Sequence, residues 1–333
     1  MKAQRHHDEG KDMDIDDKIT VIGAGLMGTS IATLCAAHGY RVVLHDQDQS
    51  ILKSFRARAT PIARHLSSGH KSHSEILDSV ICVSSLEKAV EGASLVQEAI
   101  HEDLASKRIL FQKLDDICQT DVMLSTNSSS FMLSDIGLDV KEKNRIIGIH
   151  YVSPAHLIRA VEIIIASFTP DTLIDRAKKF LKTIDHVGIT CRERPGFLIN
   201  RVQYALKAEI QRMVDEGFAS VEDIDEAVRL AIGPRLALWG PFMQEDLAAS
   251  KRTVLSVMEY LHKTTNETHY ESTPVLRNLV ESGNAGAASG AGWYEWSMGY
   301  EQLMQERDMQ LSQLLDYLRS HDRLDKLGRG RCE

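Results

Sequence analysis

The sequence predicts an α/β fold in which a doubly wound sheet, covered by helices on both faces, precedes an all-helical C-terminal domain. Strand and helix patterns alternate from Lys18 to about Arg194, and repeated units of this length imply a parallel sheet. A glycine-rich turn at residues 23–28 joins the first strand to the first helix. Beyond Pro195 the patterns are long and helical, without a convincing strand.

These changes of pattern set the expected domains and elements. Residues 1–17 are expected to form a disordered polar tail, 18–194 the sheet domain, 195–320 the helical domain and 321–333 a second tail. Strands are predicted at 19–22, 41–45, 80–83, 95–100, 122–124, 146–149, 161–165 and 187–190. Helices are predicted at 26–39, 49–65, 85–92, 104–117, 171–183, 197–216, 221–231, 243–262 and 303–318.

Composition argues against several classes of function. The chain has 333 residues and a formal net charge of -8, which does not favour non-specific binding to nucleic acid. No apolar run reaches the roughly 18 residues that a membrane span requires. The five cysteines are scattered singly and fit no zinc-binding spacing. We therefore expect reduced thiols, no metal site and a cytoplasmic protein.

The turn at residues 23–28 has the spacing G-x-G-x-x-G. Its first glycine makes the tight turn, its second lets backbone N–H groups approach a pyrophosphate, and its third lets the helix pack against the strand. Asp46 ends the second strand, 18 residues after the last of these glycines, where a carboxylate binds the adenosine ribose and repels a 2′-phosphate. This Rossmann-type pattern predicts NAD as the cofactor. The predicted contacts of the turn are Gly23, Gly25, Leu26, Met27 and Gly28.

A run of short polar side chains at residues 125–130 directly follows a predicted strand. Ligands of such sheets bind at the carboxyl ends of the strands. Hydroxyl and amide groups placed there can hold a nicotinamide ribose and a substrate oxygen. A polar loop closed by Asx or Ser/Thr turns explains the same residues.

His150 and Glu162 form the second candidate group. His150 ends one predicted strand, Glu162 interrupts another, and Pro154 favours a turn between them that could fold the two side chains together. A carboxylate in a Val/Ile strand needs a partner, because burying an unpaired charge is very costly. Paired with a carboxylate, a histidine gains basicity and can take a proton from a hydroxyl group. An unrelated surface histidine and an edge-strand glutamate remain the alternative.

Taken together, these stretches resemble the 3-hydroxyacyl-CoA dehydrogenase superfamily over nearly the whole folded chain. The resemblance implies that His150 is the catalytic base and Glu162 its partner, since residues 150–154 look like the family's H-x-x-N-P segment. It also implies that Ser129 and Asn200 contact the substrate and that the helical domain forms a homodimer. The further cofactor contacts that the resemblance implies are Glu102, Lys107, Asn127 and Ser153.

Within the superfamily the chain looks more like the L-gulonate 3-dehydrogenase and lambda-crystallin branch, on the stretches 200–205, 213–217 and 233–241. That branch oxidises free hydroxy acids, and Arg235 is then expected to bind the substrate carboxylate. A salt bridge that packs an interface explains Arg235 equally well.

Some positions depart from the family pattern. Ser153 stands where the family has asparagine, and Ala288 where it has lysine, while the segment 292–294 resembles acyl-CoA enzymes more than the gulonate branch. Three functions are therefore open. The leading one is NAD-dependent oxidation of a free 3-hydroxy acid of the gulonate or carnitine kind; the others are an L-3-hydroxyacyl-CoA dehydrogenase and a non-catalytic, crystallin-like NAD(H) binder.

Overall fold

The computed structural model describes residues 17–67 and 71–321 of the chain, which form two units. The first unit extends to Lys207 and the second begins at Ala208. Apart from Asp17 and His321, the residues of the two expected tails lie outside the described ranges. None of the helices that the structure describes combines the length and hydropathy that a bilayer-crossing segment requires.

The first unit contains one eight-stranded sheet, with the order β3-β2-β1-β4-β5-β6-β7-β8. Neighbouring strands are parallel, except that β7 runs antiparallel to β6. The order reverses between β1 and β4, which makes this edge the switch point of a doubly wound sheet. The strands are β1 (Lys18–Ile22), β2 (Arg41–His45), β3 (Val80–Val83), β4 (Leu95–Glu98), β5 (Met123–Thr126), β6 (Ile146–Tyr151), β7 (Ala160–Ile165) and β8 (Val187–Arg192).

The antiparallel pair corrects the expectation of an entirely parallel sheet. A parallel neighbour needs a crossover connection of about a dozen residues or more. Only residues 152–159 connect β6 to β7, so the chain turns back and β7 pairs with β6 in the opposite direction.

Helices of the first unit cover both faces of the sheet. They are α1 (Leu26–Ala37), α2 (Gln49–Lys53), α3 (Phe55–Leu66), α4 (His73–Asp78), α5 (Leu86–Val90), α6 (Leu104–Ile117), α7 (Leu133–Ile136) and α8 (Asp171–Thr183). One buried apolar cluster joins the sheet to α1, α3, α4 and α8, and a second joins it to α5, α6 and α7. The side chains of a strand alternate between these clusters, as Ile149 and Ile146 do in β6.

The second unit is helical, as expected, and α9 leads into it from the first. Its helices are α9 (Ile199–Asp215), α10 (Val221–Ala227), α11 (Gly233–Ala248), α12 (Lys251–Thr265), α13 (Pro274–Glu281) and α14 (Tyr300–Ser320), with a π-helical turn at Val228–Ile232. Phe197, just before α9, is buried in the core of the first unit. The start of the predicted helical segment therefore packs with the sheet.

Two predicted helices are broken in the structure. The segment 49–65 divides at Ser54 into α2 and α3. The segment 243–262 divides where Ala249 takes an extended conformation, and the side chain of Ser250 then accepts a hydrogen bond from the amide of Arg252 as the N-cap of α12. Serine at an N-cap competes with helix continuation, because its hydroxyl satisfies a free backbone donor.

Candidate active site

The glycine-rich turn between β1 and α1 depends on its first and third glycines. Gly23 has a φ of +98°, and a Cβ atom there would lie 2.5 Å from the carbonyl oxygen of Ala99. A Cβ atom on Gly28 would lie 1.7 Å from the carbonyl oxygen of Gly23. Only glycine therefore permits this turn and this approach of α1 to the strand. Around Gly25, by contrast, no atom of the described residues beyond its chain neighbours and its own helix backbone lies within 4 Å of a Cβ position, so the turn is open there.

This open side of the turn fits a dinucleotide. Gly25 is the N-cap of α1, and no side chain among the described residues caps it, so the N–H groups at this helix end can bind phosphate oxygens. Leu26 is exposed, while Met27 packs partly against the core. Asp46, directly after β2, accepts a hydrogen bond from the amide of Ala24 at 2.8 Å, which holds its carboxylate beside the turn.

The structure brings His150 and Glu162 together. They face each other across the antiparallel β6–β7 pair, and His150 Nδ1 lies 2.6 Å from Glu162 Oε2. Glu162 is fully buried and His150 is 8% exposed. Since a carboxylate accepts hydrogen bonds, Nδ1 carries the proton in this pair, and Nε2 is left as the basic nitrogen.

The second carboxylate oxygen of Glu162 binds the start of α9. Glu162 Oε1 accepts hydrogen bonds from the amides of Leu198 at 2.8 Å and Ile199 at 2.7 Å. Burial alone raises the pKa of Glu162, but the hydrogen bonds from His150 and these two amides outweigh it and hold the pKa below its ordinary value. Glu162 is therefore an anion with both oxygens fixed, and its negative charge faces the imidazole.

A second carboxylate holds the polar loop after β5. Glu102 Oε1 accepts hydrogen bonds from Ser128 Oγ at 2.7 Å and from the amides of Ser129 at 3.0 Å and Ser130 at 3.1 Å. The loop also contains Ser/Thr turns of the kind expected for residues 125–130, in which Thr126 Oγ1 accepts from the amide of Ser128 and Ser128 Oγ accepts from that of Phe131. Glu102 thus contributes to the site by shaping the loop that carries Ser129.

Lys107 was predicted to contact the cofactor, but in the structure its side chain is buried. Its side chain is 1% exposed, and Nζ lies 2.5 Å from Glu98 Oε1 and 3.2 Å from Glu102 Oε2. A buried ammonium group needs carboxylate partners, so Lys107 points into the protein and links the two glutamates. Glu98 also accepts a hydrogen bond from Thr126 at 2.5 Å. Sequence reasoning missed Glu98, although a carboxylate within the apolar strand β4 is the same signal that identified Glu162.

Ser129 and Asn200 lie together at a surface cavity of about 420 Å³. Asn200 Nδ2 donates a hydrogen bond to the carbonyl oxygen of Ser129 at 3.3 Å. Asn200 follows directly after Ile199, whose amide binds Glu162, so one helix start connects this pair to the His150 pair. The cavity is lined by Ser129, Ser130, Pro195, Gly196, Asn200, Arg201 and Tyr204. Arg201 and Tyr204 were not predicted as site residues; for Tyr204 the available signal was its position four residues after Asn200, on the same face of a helix.

Three other predicted residues, Asn127, Ser153 and Arg235, make few contacts that bear on the site. Asn127 Oδ1 accepts a hydrogen bond from the amide of Tyr151 at 2.8 Å, which fixes this side chain beside the end of β6. Ser153 is exposed in the turn after β6. Arg235 belongs to the second unit, where its Nε donates to the carbonyl oxygen of Ala231 at 2.7 Å.

Comparisons with known proteins identify the family to which the chain is similar. The family model described as "3-hydroxyacyl-CoA dehydrogenase, NAD binding domain" matches residues 18–194, and "3-hydroxyacyl-CoA dehydrogenase, C-terminal domain" matches residues 196–296. A probable 3-hydroxyacyl-CoA dehydrogenase of Caenorhabditis elegans is 32% identical over 290 residues, covering 84% of this chain and 93% of the relative.

Another relative and one solved structure are also named as hydroxyacyl-CoA dehydrogenases. The mitochondrial hydroxyacyl-coenzyme A dehydrogenase of Rattus norvegicus is 31% identical over 288 residues, covering 84% of this chain and 90% of the relative. The solved structure of a 3-hydroxyacyl-CoA dehydrogenase from Archaeoglobus fulgidus is similar with a TM-score of 0.79 at 27% identity, covering 91% of this chain and 99% of that chain.

Proposed function

The chain belongs to the 3-hydroxyacyl-CoA dehydrogenase family, and from that premise we propose that it oxidises the hydroxyl group of a 3-hydroxyacyl-CoA thioester with NAD. The observation that carries the proposal is the buried His150–Glu162 pair, at 2.6 Å, on a sheet whose glycine-rich turn fits a dinucleotide. A fold of this kind serves many reactions, so the reaction is argued from this pair and its neighbours.

The thioester is better supported than the free hydroxy acid that the sequence first suggested. The relatives at 31–32% identity are named for acyl-CoA substrates, and this chain covers at least nine-tenths of their lengths. The gulonate-like reading depends on short stretches and on Arg235 as a carboxylate ligand. In the structure, the Arg235 guanidinium donates to a backbone carbonyl of its own helical segment.

In the proposed reaction His150 receives the hydroxyl proton at Nε2. Its other nitrogen already donates to Glu162, so the tautomer needed for proton acceptance is fixed before the substrate binds. The imidazole becomes a cation when it takes the proton, and the Glu162 carboxylate stabilises that cation. NAD, when bound, would accept the hydride from the carbon atom that bears the hydroxyl group.

Glu162 has its own support in this role. A carboxylate held by one partner could rotate away as the proton moves, but the amides of Leu198 and Ile199 fix its second oxygen. A carboxylate at a helix N-terminus is also favoured by the helix dipole. We therefore assign Glu162 the task of orienting His150.

Ser129 and Asn200 are the proposed contacts of the reacting oxygen. Both line the same cavity, and the hydrogen bond between them sets their relative position. Hydroxyl and amide donors aimed at the carbonyl oxygen that forms stabilise its partial negative charge.

We also propose a homodimer formed through the second unit. Only five apolar residues other than glycine are buried in the described chain beyond Lys207, namely Ile224, Pro234, Leu247, Leu276 and Ala287. Large apolar side chains such as Phe218, at 75% exposed, and Tyr260, at 66%, lie at the surface instead. The proposal is that a second copy of the chain covers these side chains.

The substrate assignment is tested by following NADH absorbance with 3-hydroxybutyryl-CoA, longer 3-hydroxyacyl-CoA esters, gulonate and carnitine. We expect the highest kcat/KM with a CoA ester, because binding energy from the remote CoA moiety lowers the barrier at the reacting carbon. A free acid turned over faster than every ester would overturn the proposal. NADH binding without turnover of any of these compounds would also contradict it and favour the crystallin-like alternative.

A further inference from the structure

Arg58, on α3, contacts the glycine-rich turn on the side of its backbone carbonyl groups. Its Nη1 lies 2.6 Å from the carbonyl oxygen of Ala24, 3.3 Å from that of Gly25 and 2.6 Å from Thr29 Oγ1. One guanidinium nitrogen thus binds two successive carbonyl groups of the turn and the first turn of α1. No motif in the sequence pointed to this residue.

The rest of the guanidinium is held by the segment that carries it. Arg58 Nη2 donates to the carbonyl oxygen of Ile51 at 2.9 Å, and Nε donates to Ser54 Oγ at 3.2 Å. Ser54 is the point at which α2 and α3 separate. Residues at the break between α2 and α3 therefore fix the orientation of the guanidinium group that contacts the turn.

All of these partners are neutral. Arg58 is half-buried, and none of the ion pairs in residues 17–67 and 71–321 includes it. A half-buried charge without a carboxylate partner is uncommon, because its desolvation is not compensated by an opposite charge. At this position, the uncompensated positive charge lies next to the turn that fits the two phosphates of a dinucleotide.

The carbonyl groups that Arg58 binds also matter for the donors of the turn. The carbonyl of Ala24 shares a peptide group with the amide of Gly25, and that of Gly25 shares one with the amide of Leu26. In a trans peptide the C=O and N–H groups point in opposite directions, so a cation on the oxygens leaves the amides free on the other side. Hydrogen bonding to the oxygen polarises the peptide group and strengthens its N–H donor.

We propose that Arg58 is a positioning residue of the NAD site, which holds the glycine-rich turn in its phosphate-binding conformation and supplies a positive charge behind it. The role is independent of the substrate proposed above, since it concerns the cofactor alone. Arginine is suited to it because its five fixed donors can satisfy several acceptors at once, which a lysine ammonium cannot do in the same geometry.

The test compares Arg58→Met and Arg58→Lys with Arg56→Met as the matched control. Arg56 lies two residues earlier on α3, where it pairs at the exposed surface with Asp78. The dissociation constants of NADH and of ADP-ribose are measured on the full chain by fluorescence and calorimetric titration. We expect both constants to rise about 10- to 100-fold in Arg58→Met, the scale of a lost charge-assisted hydrogen bond, and less in Arg58→Lys. Arg56→Met keeps the wild-type constants.

Two further readouts separate positioning from a general loss of structure. At saturating NAD, kcat of the Arg58 variants stays close to wild type, because His150 and Glu162 are untouched. The salt dependence of NADH binding becomes weaker in Arg58→Met, since one cation near the phosphates is gone. Wild-type NADH affinity in folded Arg58→Met overturns the proposal, and so does wild-type affinity in Arg58→Lys if the methionine variant does not fold.

Discussion

The two units of this molecule differ in how completely their own residues bury their apolar side chains. In the first unit every residue of β4 and of β6 is buried, between helices that cover both faces of the sheet. In the second, α14 has no buried residue over its 21 residues, and the one buried residue of α12 is Lys251. The contrast shows that the sheet unit surrounds the His150–Glu162 pair with buried residues, whereas the described helices α12 and α14 leave most of their apolar side chains exposed or only partly buried.

The second unit has few buried apolar side chains, but it contains a buried ion pair. Lys251 Nζ lies 2.5 Å from Asp246 Oδ1, and both side chains are fully buried. The Asp246 carboxylate also accepts hydrogen bonds from the amides of Trp293 and Tyr294 and from the indole of Trp296. A buried pair adds little net stability when weighed against apolar packing. The second unit therefore gains geometric order from this cluster more than free energy of folding.

The largest expected effect tests whether the chemistry resides in the first unit. His150→Gln removes the basic nitrogen, and kcat should fall by about 100- to 10,000-fold, the scale of a lost general base. The dissociation constant of NADH should hardly change, because the glycine-rich turn is intact. His73→Gln, at an exposed position on α4, is the control with wild-type kcat. Substantial turnover by His150→Gln would remove this residue from the mechanism.

An intermediate effect is expected for the proposed dimer. All three tryptophans, Trp239, Trp293 and Trp296, lie in the second unit, so intrinsic fluorescence reports on its unfolding. If partner binding covers the exposed helices, a tenfold dilution costs the folded dimer about 1.4 kcal/mol by mass action, and Tm falls by a few degrees. Sedimentation should give a dimer at micromolar concentration. A monomer with a concentration-independent Tm would contradict the dimer proposal.

The smallest expected effect concerns acid stability. The pKa of Glu162 is lower in the folded chain than its ordinary value, because the hydrogen bonds from His150 and the α9 amides outweigh burial. The folded state then binds fewer protons than the unfolded state between the two pKa values, so this contribution is complete above the ordinary value and is lost as pH falls through the folded value. In urea unfolding from about pH 6 downward, the stability difference between wild type and Glu162→Gln should shrink. A difference that does not change with pH would show that the charge of Glu162 is not involved.

Local signals in the sequence were sufficient for much of the first unit. The glycine spacing at 23–28 and the strand that precedes it predicted β1, the turn and α1, because the steric demands of such a turn are met only by glycine at fixed positions. Pro154 favoured a turn that could bring His150 and Glu162 together, and the structure places the two side chains in contact, although on an antiparallel strand pair that the sequence did not predict. The cost of burying a charge made that partnership predictable.

Long-range contacts were not predictable in the same way. Lys107 belongs to a motif that the sequence placed at the cofactor, but the structure buries it between Glu98 and Glu102. Arg58 was not assigned to the cofactor site, since its partners in and after the glycine-rich turn lie about 30 residues earlier in the chain. The breaks at Ser54 and Ser250 were also missed, because a helical pattern of apolar residues continues across both.

The sequence by itself determined the α/β class, the NAD-type turn and the chemistry-bearing residue types, because these depend on local steric and polar requirements that each residue carries with it. Only the tertiary structure decided which polar groups bind each charged side chain. Glu162 binds amides at the start of α9, Glu102 binds the serine loop, and Arg58 binds carbonyl groups of the glycine-rich turn. The physical reason is that a buried charge must find its partner in space, and the fold brings to that place residues that are distant in the chain.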